Sequence, residues 1–446
     1  MLFKKFFVFF ICILFFSGCT TNVIKKKSPE LTVYENMVNR SLLFEGNTER
    51  LKEKLHKAKK GEKVIVAYLG GSITEDKGGE NKNYAKQSFE KLVGYTGKKA
   101  NLDYINTGIS GTNSVFGNTI ADKEVLSKNA DIIFIEYATD DKPEQNFRES
   151  FESLIRNCLQ NPNNPAVVLI LSCNDKGESR QDFMIQLGKY YNLPVISVAN
   201  AVIPEISASR MKSEEYFTDD INPTEYGHRL MSDFIINYIK KAQKYKDTGN
   251  YEVPPRMYPK SVFENIRFIS SKDLHADNDG SFIRKSLNKG KFFKYTAEFL
   301  PDTGNKPFEF SLFTNNLFIV VPTYTNENSS ADVYINDKKS ATVSLKSENG
   351  INAPKSVLLY SAEKPSLLKV KITVPDNAEN RQIYVEPPVT EHFNFSDRNI
   401  ENNVSELNVP EEEQVFLIKK KTKNTKNTVP FSFYGIAYSK ITDEKN

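Results

Sequence analysis

The chain has 446 residues but no Trp, only four His and four Cys, and a net charge of just +4. Each scarcity narrows the function. So even a charge balance does not create the concentrated positive field that binds polyanions, and no nucleic-acid partner is expected. Without Trp, any surface on which sugar rings stack must be built from Tyr, which counts against a dedicated glycan-binding module. His56, His228, His275 and His392 are the only imidazoles, so candidates for a general base are few. Long apolar runs are also missing: the longest, over residues 6–16, is too short to cross a bilayer comfortably.

That run has a different meaning. Lys4 and Lys5 precede it, and Ser17-Gly18-Cys19 closes it, which gives the charged, apolar and small-residue parts of an export signal. The ending resembles a bacterial lipobox, although Phe16 stands where Leu is commoner. The resemblance implies cleavage before Cys19, lipidation of Cys19, and a protein held to the bacterial cell envelope through an N-terminal lipid anchor. Residues 1–19 are therefore read as signal and residues 20–45, with Lys25 to Lys27, as a polar tether. Of the four cysteines only Cys158 and Cys173 remain for the folded part. One falls near a helix end and the other near the end of the following strand, about 20 Å apart across a sheet. Two free, buried thiols are expected.

The remaining chain exceeds what one core usually supports, and its composition, 39% hydrophobic and 26% charged, is that of ordinary globular protein. Two domains are expected. Between residues 46 and 245 apolar runs at 64–69, 102–106, 130–137, 167–172 and 194–198 alternate with helical spacing at 48–60, 84–95, 144–159, 180–191 and 224–243. Strands apolar on both faces and alternating with helices imply a parallel sheet covered on both sides, a three-layer α/β domain. Residues 246–260 contain Pro254-Pro255 and Pro259 and read as a linker. From 261 to 440 the period changes to two, with short strand-like runs at 308–313, 317–321, 331–335, 341–345, 357–360, 367–374, 415–418 and 431–438. No comparable helix accompanies them, and an antiparallel β-sandwich is expected.

Four segments at strand ends carry the chemistry. In Leu69-Gly-Gly-Ser-Ile-Thr74 the glycines remove side chains that would cover Ser72 at the carboxyl end of a central strand, where open α/β sheets keep their sites. It is followed by Asn106-Thr-Gly-Ile-Ser-Gly-Thr112, by Glu136-Tyr-Ala-Thr-Asp-Asp141, and by Asp219-Asp-Ile-Asn-Pro-Thr-Glu-Tyr-Gly-His228. In this order and spacing the set resembles the SGNH/GDSL hydrolase superfamily over about residues 62 to 243. The resemblance implies a flavodoxin-like parallel sheet and a serine ester hydrolase without metal or cofactor. Ser72 stands at the nucleophile position and Gly71 where many members have Asp. The backbone N–H groups of Ser72 and Gly111 stand as oxyanion donors, with Asp219 to orient the base.

Two positions depart from the family's pattern. Its Asp-x-x-His block reads Asp219-Asp-Ile-Asn222, so Asn222 occupies the place of the base, and its Gly-x-Asn-Asp block reads Ala138-Thr-Asp-Asp141, so Asp140 occupies the place of the amide donor. An amide cannot take a serine proton near neutral pH. A carboxylate at 140 would repel the oxyanion unless its pKa were raised enough to keep it protonated. Either change alone is worth roughly a hundred- to a thousandfold in rate. His228 follows the fourth block at the start of the last helix and reads as a structural hydrogen-bonding group. The acids Glu136, Asp140, Asp141, Asp219 and Asp220 have no known cation-loop spacing and read as solvated side chains near a pocket.

Two functions follow. One is a surface-anchored esterase or deacetylase acting on O-acyl esters of carbohydrate or a similar small substrate. The other is an inactive descendant that keeps the fold as a glycan-binding or cell-envelope interaction module.

Overall fold

A computed structural model of the chain describes residues 29–76, 80, 82–97, 99–246, 251–258, 262–288, 291–375 and 429–441. The export signal with Cys19, Lys25 to Lys27 and the strand-like run at 415–418 lie outside the described residues.

The first domain contains β1 (Leu42–Phe44), β2 (Lys63–Gly70), β3 (Asn101–Asn106), β4 (Ile132–Glu136), β5 (Ala166–Leu171) and β6 (Val195–Ser197). They form one sheet in the order β1-β6-β5-β4-β2-β3. All pairings are parallel except that of β1, which lies antiparallel on the β6 edge. The five parallel strands thus have the flavodoxin-like order 2-1-3-4-5, and the order reverses beside β2, where ligands of such sheets bind. Alternation along β2 serves two cores. Val64, Val66 and Tyr68 face one packed layer, while Ala67 and Leu69 face the other.

The helices are α1 (Pro29–Arg40), α2 (Glu49–Lys59), α3 (Tyr84–Thr96), α4 (Ser114–Glu124), α5 (Gln145–Leu159), α6 (Gln181–Tyr190), α7 (Val198–Ser207), α8 (Ser213–Tyr216) and α9 (Glu225–Ala242). Leu51, Leu55, Phe89, Leu92, Phe234 and Ile235 from α2, α3 and α9 cover one face. Phe151, Leu154, Phe183 and Leu187 from α5 and α6 cover the other. Cys158 and Cys173 are free and buried, as expected, and burial pushes both thiols up to about 12.

The tether ends sooner than its composition suggests, because residues 29–44 belong to the domain. Met37 joins the core, Tyr34 Oη donates to Asp233 on α9 at 2.6 Å, and the Arg40 guanidinium pairs with Glu205 and donates to the Ala201 carbonyl on α7. Helix α4 was also unexpected. Its buried face holds Ser114, Gly117, Asn118 and Thr119 beside Phe116 and Ile120, so apolar periodicity is weak.

The second domain contains β7 (Ile266–Ser270), β8 (Phe282–Ser286), β9 (Tyr295–Phe299), β10 (Phe308–Thr323), β11 (Ser330–Ile335), β12 (Lys338–Ser344), β13 (Ala353–Thr373), β14 (Ser432–Phe433) and β15 (Gly435–Ser439). Two antiparallel sheets, β12-β11-β13-β10-β15-β7 and β14-β9-β8, enclose a core that includes Phe282, Phe299, Phe308, Phe310, Val333 and Phe433. The expected β-sandwich is present. The runs at 308–313 and 317–321 are one strand rather than two, as are those at 357–360 and 367–374. β10 and β13 pair along almost their whole length, with register shifts at 314–316 and 317–318 that interrupt the two-residue alternation.

The proline-rich stretch is docked rather than loose. Glu152 on α5, buried, accepts the Met257 and Tyr258 N–H groups at 2.5 and 3.0 Å and pairs with Arg256 at 3.1 Å. Phe116 and Ile120 of α4 pack with Phe263, Ile266, Phe293, Phe318 and Val320 of the second domain. Burying each such side chain contributes roughly 1.5–3 kcal/mol, enough to hold the two domains together.

Candidate active site

The site is built where β2, β3 and β4 end. The chain leaves β2 at Gly70, where a Cβ would lie 2.0 Å from Thr74 Oγ1 and 2.7 Å from the Glu136 carbonyl, so only glycine lets the turn fold back on β4. The Glu75 N–H donates to the Gly71 carbonyl at 3.1 Å and closes a turn around Ser72. Ser72 is half-buried. The loop after β3 lies against this turn: Ile109 N–H donates to the Gly70 carbonyl at 3.3 Å, and Ser110 N–H donates to Glu75 Oε2 at 3.1 Å. Gly111 follows with φ +77°, in the left-handed region that favours glycine.

Asp140 comes from the loop after β4. Its carboxyl lies flat on Gly71, where a Cβ would stand 2.3 Å from Oδ2 and 2.4 Å from Oδ1. Desolvation and the neighbouring Glu136 and Asp141 raise its pKa well above the usual carboxylate range, against the opposing pull of the nearby Ser72 N–H. Asp140 Oδ2 is buried without a partner. Ser72, Gly71 and Asp140 therefore form one contact group.

Glu136 and Asp141 are not the solvated acids expected from sequence. Glu136 is buried and accepts from Thr74 Oγ1 at 3.1 Å and from Ser172 Oγ. Burial carries its pKa up to about 7 against the pull of those two donors. Asp141 is also buried and accepts the Ser114 N–H at the start of α4 at 2.8 Å. Desolvation again prevails, raising it to about 7. Thr74 Oγ1 also bonds Tyr84 Oη at 2.9 Å, so the nucleophile turn, β4 and α3 share one polar network. Thr74 and Ser172 had no signal in sequence beyond being polar residues at strand ends.

Asp219 and Asn222 form the second group, on an exposed loop before α9. Asp219 Oδ1 accepts the Ile221 and Asn222 N–H groups at 2.9 and 2.7 Å, and Oδ2 accepts Asn222 Nδ2 at 2.8 Å. The amide thus makes the bond to the aspartate that an orienting acid makes to a catalytic imidazole. Among the described residues no hydrogen bond joins Ser72 Oγ to Asn222. His228 is used locally: its Nδ1 accepts the Tyr84 N–H at 3.2 Å, its ring stacks on Tyr84, and burial lowers its pKa to about 4.

The second domain reaches the rim of the site, which sequence reasoning did not find. A Cβ on Gly111 would lie 2.9 Å from Ala353 Cβ and 3.1 Å from Ile351 Cγ2. Asn349 Nδ2 approaches the Gly111 carbonyl at 3.4 Å, and Lys291 Nζ donates to the Gly108 carbonyl at 2.9 Å. Burial lowers the Lys291 pKa. Nothing local in the sequence marks these residues, since their role comes only from domain docking. Among the described residues no group of His, Cys, Asp and Glu is arranged to hold a metal ion.

Ser72 thus lies at the switch point of a flavodoxin-ordered sheet that is joined to an antiparallel sandwich. The chain is similar to a two-domain esterase (CEX) active on acetylated mannans, co-crystallised with mannopentaose: the TM-score is 0.70 at 21% identity, over 92% of this chain and 99% of that one. A second structure of that esterase gives 0.69 at 21% identity, over 91% and 99%. The acetyl xylan esterase AlAXEase matches 39% of this chain and 98% of its own at 17% identity, with a TM-score of 0.34. At 21% identity the likeness to the two-domain esterase is one of fold. No protein-family model matches the sequence, and no curated protein does.

Proposed function

We propose that this chain recognises O-acyl esters of carbohydrate at the Ser72 site, as an exported, lipid-anchored protein of the SGNH esterase or deacetylase type whose hydrolysis is strongly attenuated. The observation that carries this reading is the Asn222 amide bonded to Asp219 at 2.8 Å. The orienting half of a catalytic triad is retained there, while the group it orients cannot accept a proton. Ser72 on its glycine turn and Gly111 with its positive φ support a place for an acyl carbonyl. The fold shared with an esterase active on acetylated mannans supports the substrate class. The signal ending in Cys19 supports attachment to the bacterial cell envelope.

Asp140 favours a second reading, in which hydrolysis is absent and the site serves only as a cell-envelope interaction module. Its carboxyl lies against Gly71, next to the Ser72 N–H that would face an oxyanion. One experiment separates the two. Acetate release from acetylated manno-oligosaccharides is followed alongside calorimetric titration with the acetylated and deacetylated forms. Preferential binding of the acetylated form with slow, Ser72-dependent acetate release supports the first reading; binding with no release supports the second. Equal or absent binding of both forms sinks the ester site altogether. Loss of membrane fractionation in Cys19→Ser tests the anchor.

A further inference from the structure

We propose that the chain carries a ligand site separate from Ser72, at the opposite end of the sheet, which binds an unacylated sugar unit of a neutral glycan between Tyr190 and Tyr251. The site goes beyond the ester-recognising reading and does not depend on it. Ser72 follows the carboxyl end of β2, whereas this cavity lies beside Ala166 and Leu193, where β5 and β6 of the same parallel sheet begin. Roughly 20 Å of strand separates the two.

Three segments meet there. Asn192 turns the chain between α6 and β6 at φ +48°, and its carbonyl accepts the Asn47 N–H, ahead of α2, at 2.7 Å. The Tyr251 hydroxyl, from the stretch between the domains, donates to the Tyr191 carbonyl at 2.5 Å. Asn47, Tyr190, Asn192, Tyr251 and Glu252 line the resulting cavity of about 300 Å³, at the lower end of the range for small-molecule sites. Behind it a recess of about 10 Å³ shares Asn47, Asn192 and Tyr251 and is lined also by Tyr238, whose hydroxyl is buried without a partner. The recess has room for little more than one hydroxyl group or water.

This lining matches a polyol. Tyr190 is 39% exposed, yet its ring is fixed edge-on against the buried Tyr191 with centroids 5.1 Å apart. The Tyr251 ring is fixed through its hydroxyl, so both rings offer a preorganised surface to the C–H face of a pyranose. Among the described residues the Asn192 amide makes no hydrogen bond and Glu252 no ion pair, which leaves a donor and several acceptors for ring hydroxyls. Charge selects against the alternatives. The Arg50 guanidinium, held by the Leu159 carbonyl at 3.1 Å, already stands 4.9 Å from the Tyr251 ring centroid and repels an ammonium ligand. Glu252 at the mouth repels an anion. A neutral, hydroxylated ligand satisfies both.

Calorimetric titration of the full chain with unacylated mannopentaose, xylopentaose and cellopentaose tests the site. At least one is expected to bind wild type and Ser72→Ala equally, and to bind Tyr190→Ala and Glu252→Gln about tenfold more weakly. Tyr190→Phe keeps the ring and should bind as wild type does. Hydrogen exchange with the sugar bound should slow over residues 190–193 and 251–253 and stay unchanged around Ser72. Binding that ignores both Tyr190→Ala and Glu252→Gln overturns the proposal, as does no binding of any of the three sugars, or binding of tetramethylammonium in their place. Acylated and unacylated forms that bind equally, with loss of both in Tyr190→Ala, support this site while sinking the ester site at Ser72.

Discussion

Asn222 Nδ2 donates to Asp219 Oδ2 at 2.8 Å, so the amide is held by the same acid that would hold a catalytic imidazole. Under the proposed function, Asn222→His combined with Asp140→Asn supplies a base and an amide donor at the two positions that lack them. Hydrolysis of p-nitrophenyl acetate by the double variant is expected to exceed wild type by at least about a hundredfold. It should be lost again on adding Ser72→Ala. A double variant as inert as wild type would mean that Ser72 and residue 222 do not converge.

Gly71 bears the Asp140 carboxyl directly, with no space for a methyl group between them. Gly71→Ala should push Asp140 away and lower stability by roughly 1–3 kcal/mol, the usual cost of overpacking. Chemical denaturation measures this. An unchanged midpoint would show that the loop after β4 moves freely.

Two opposed titrations fall in one pH window. The folded-state pKa values of Glu136 and Asp141 are raised to about 7, so the stability linked to their acid forms is complete below about pH 4 and declines as pH rises through 7. That of His228 is depressed to about 4, so its stability is complete above about pH 6.5 and declines as pH falls toward 4. The sum is a shallow profile in wild type. Glu136→Gln removes one falling component, and its melting temperature, measured from pH 4 to 8, should peak at a higher pH than that of wild type.

Glu152 is buried and holds Arg256 together with the Met257 and Tyr258 N–H groups. Glu152→Ala removes the acceptor of two backbone N–H groups and of the Tyr191 hydroxyl, while Arg256 keeps Glu264, and should cost about 1–3 kcal/mol. Limited proteolysis should then cut between residues 251 and 258, where the wild-type chain resists.

The order of strands and helices in the first domain was legible because buried parallel strands leave continuous apolar runs and their helices leave clean stripes. Helix α4 escaped because it packs polar and small residues against Tyr137 and the other domain. The long pair β10 and β13 appeared as fragments because their irregularities break the two-residue alternation. Of the residues named from short local patterns, Gly71, Ser72 and Asp140 lie together, while Asp219 and Asn222 form a group of their own. The burial of Glu136 and Asp141, and the contacts of Lys291, Asn349, Ile351 and Ala353, depend on segments brought together from far along the chain.

Gly111 lies under Ile351 and Ala353, at a backbone angle that other residues rarely adopt. Variation in the loop before β13 is thereby filtered by a loop some 240 positions earlier. A bulkier residue at 353 would press first on the Gly111 peptide, not on its own sandwich. The two domains cannot drift apart in sequence at this point, and a lineage that exchanged one for another would have to rebuild the seam at Gly111.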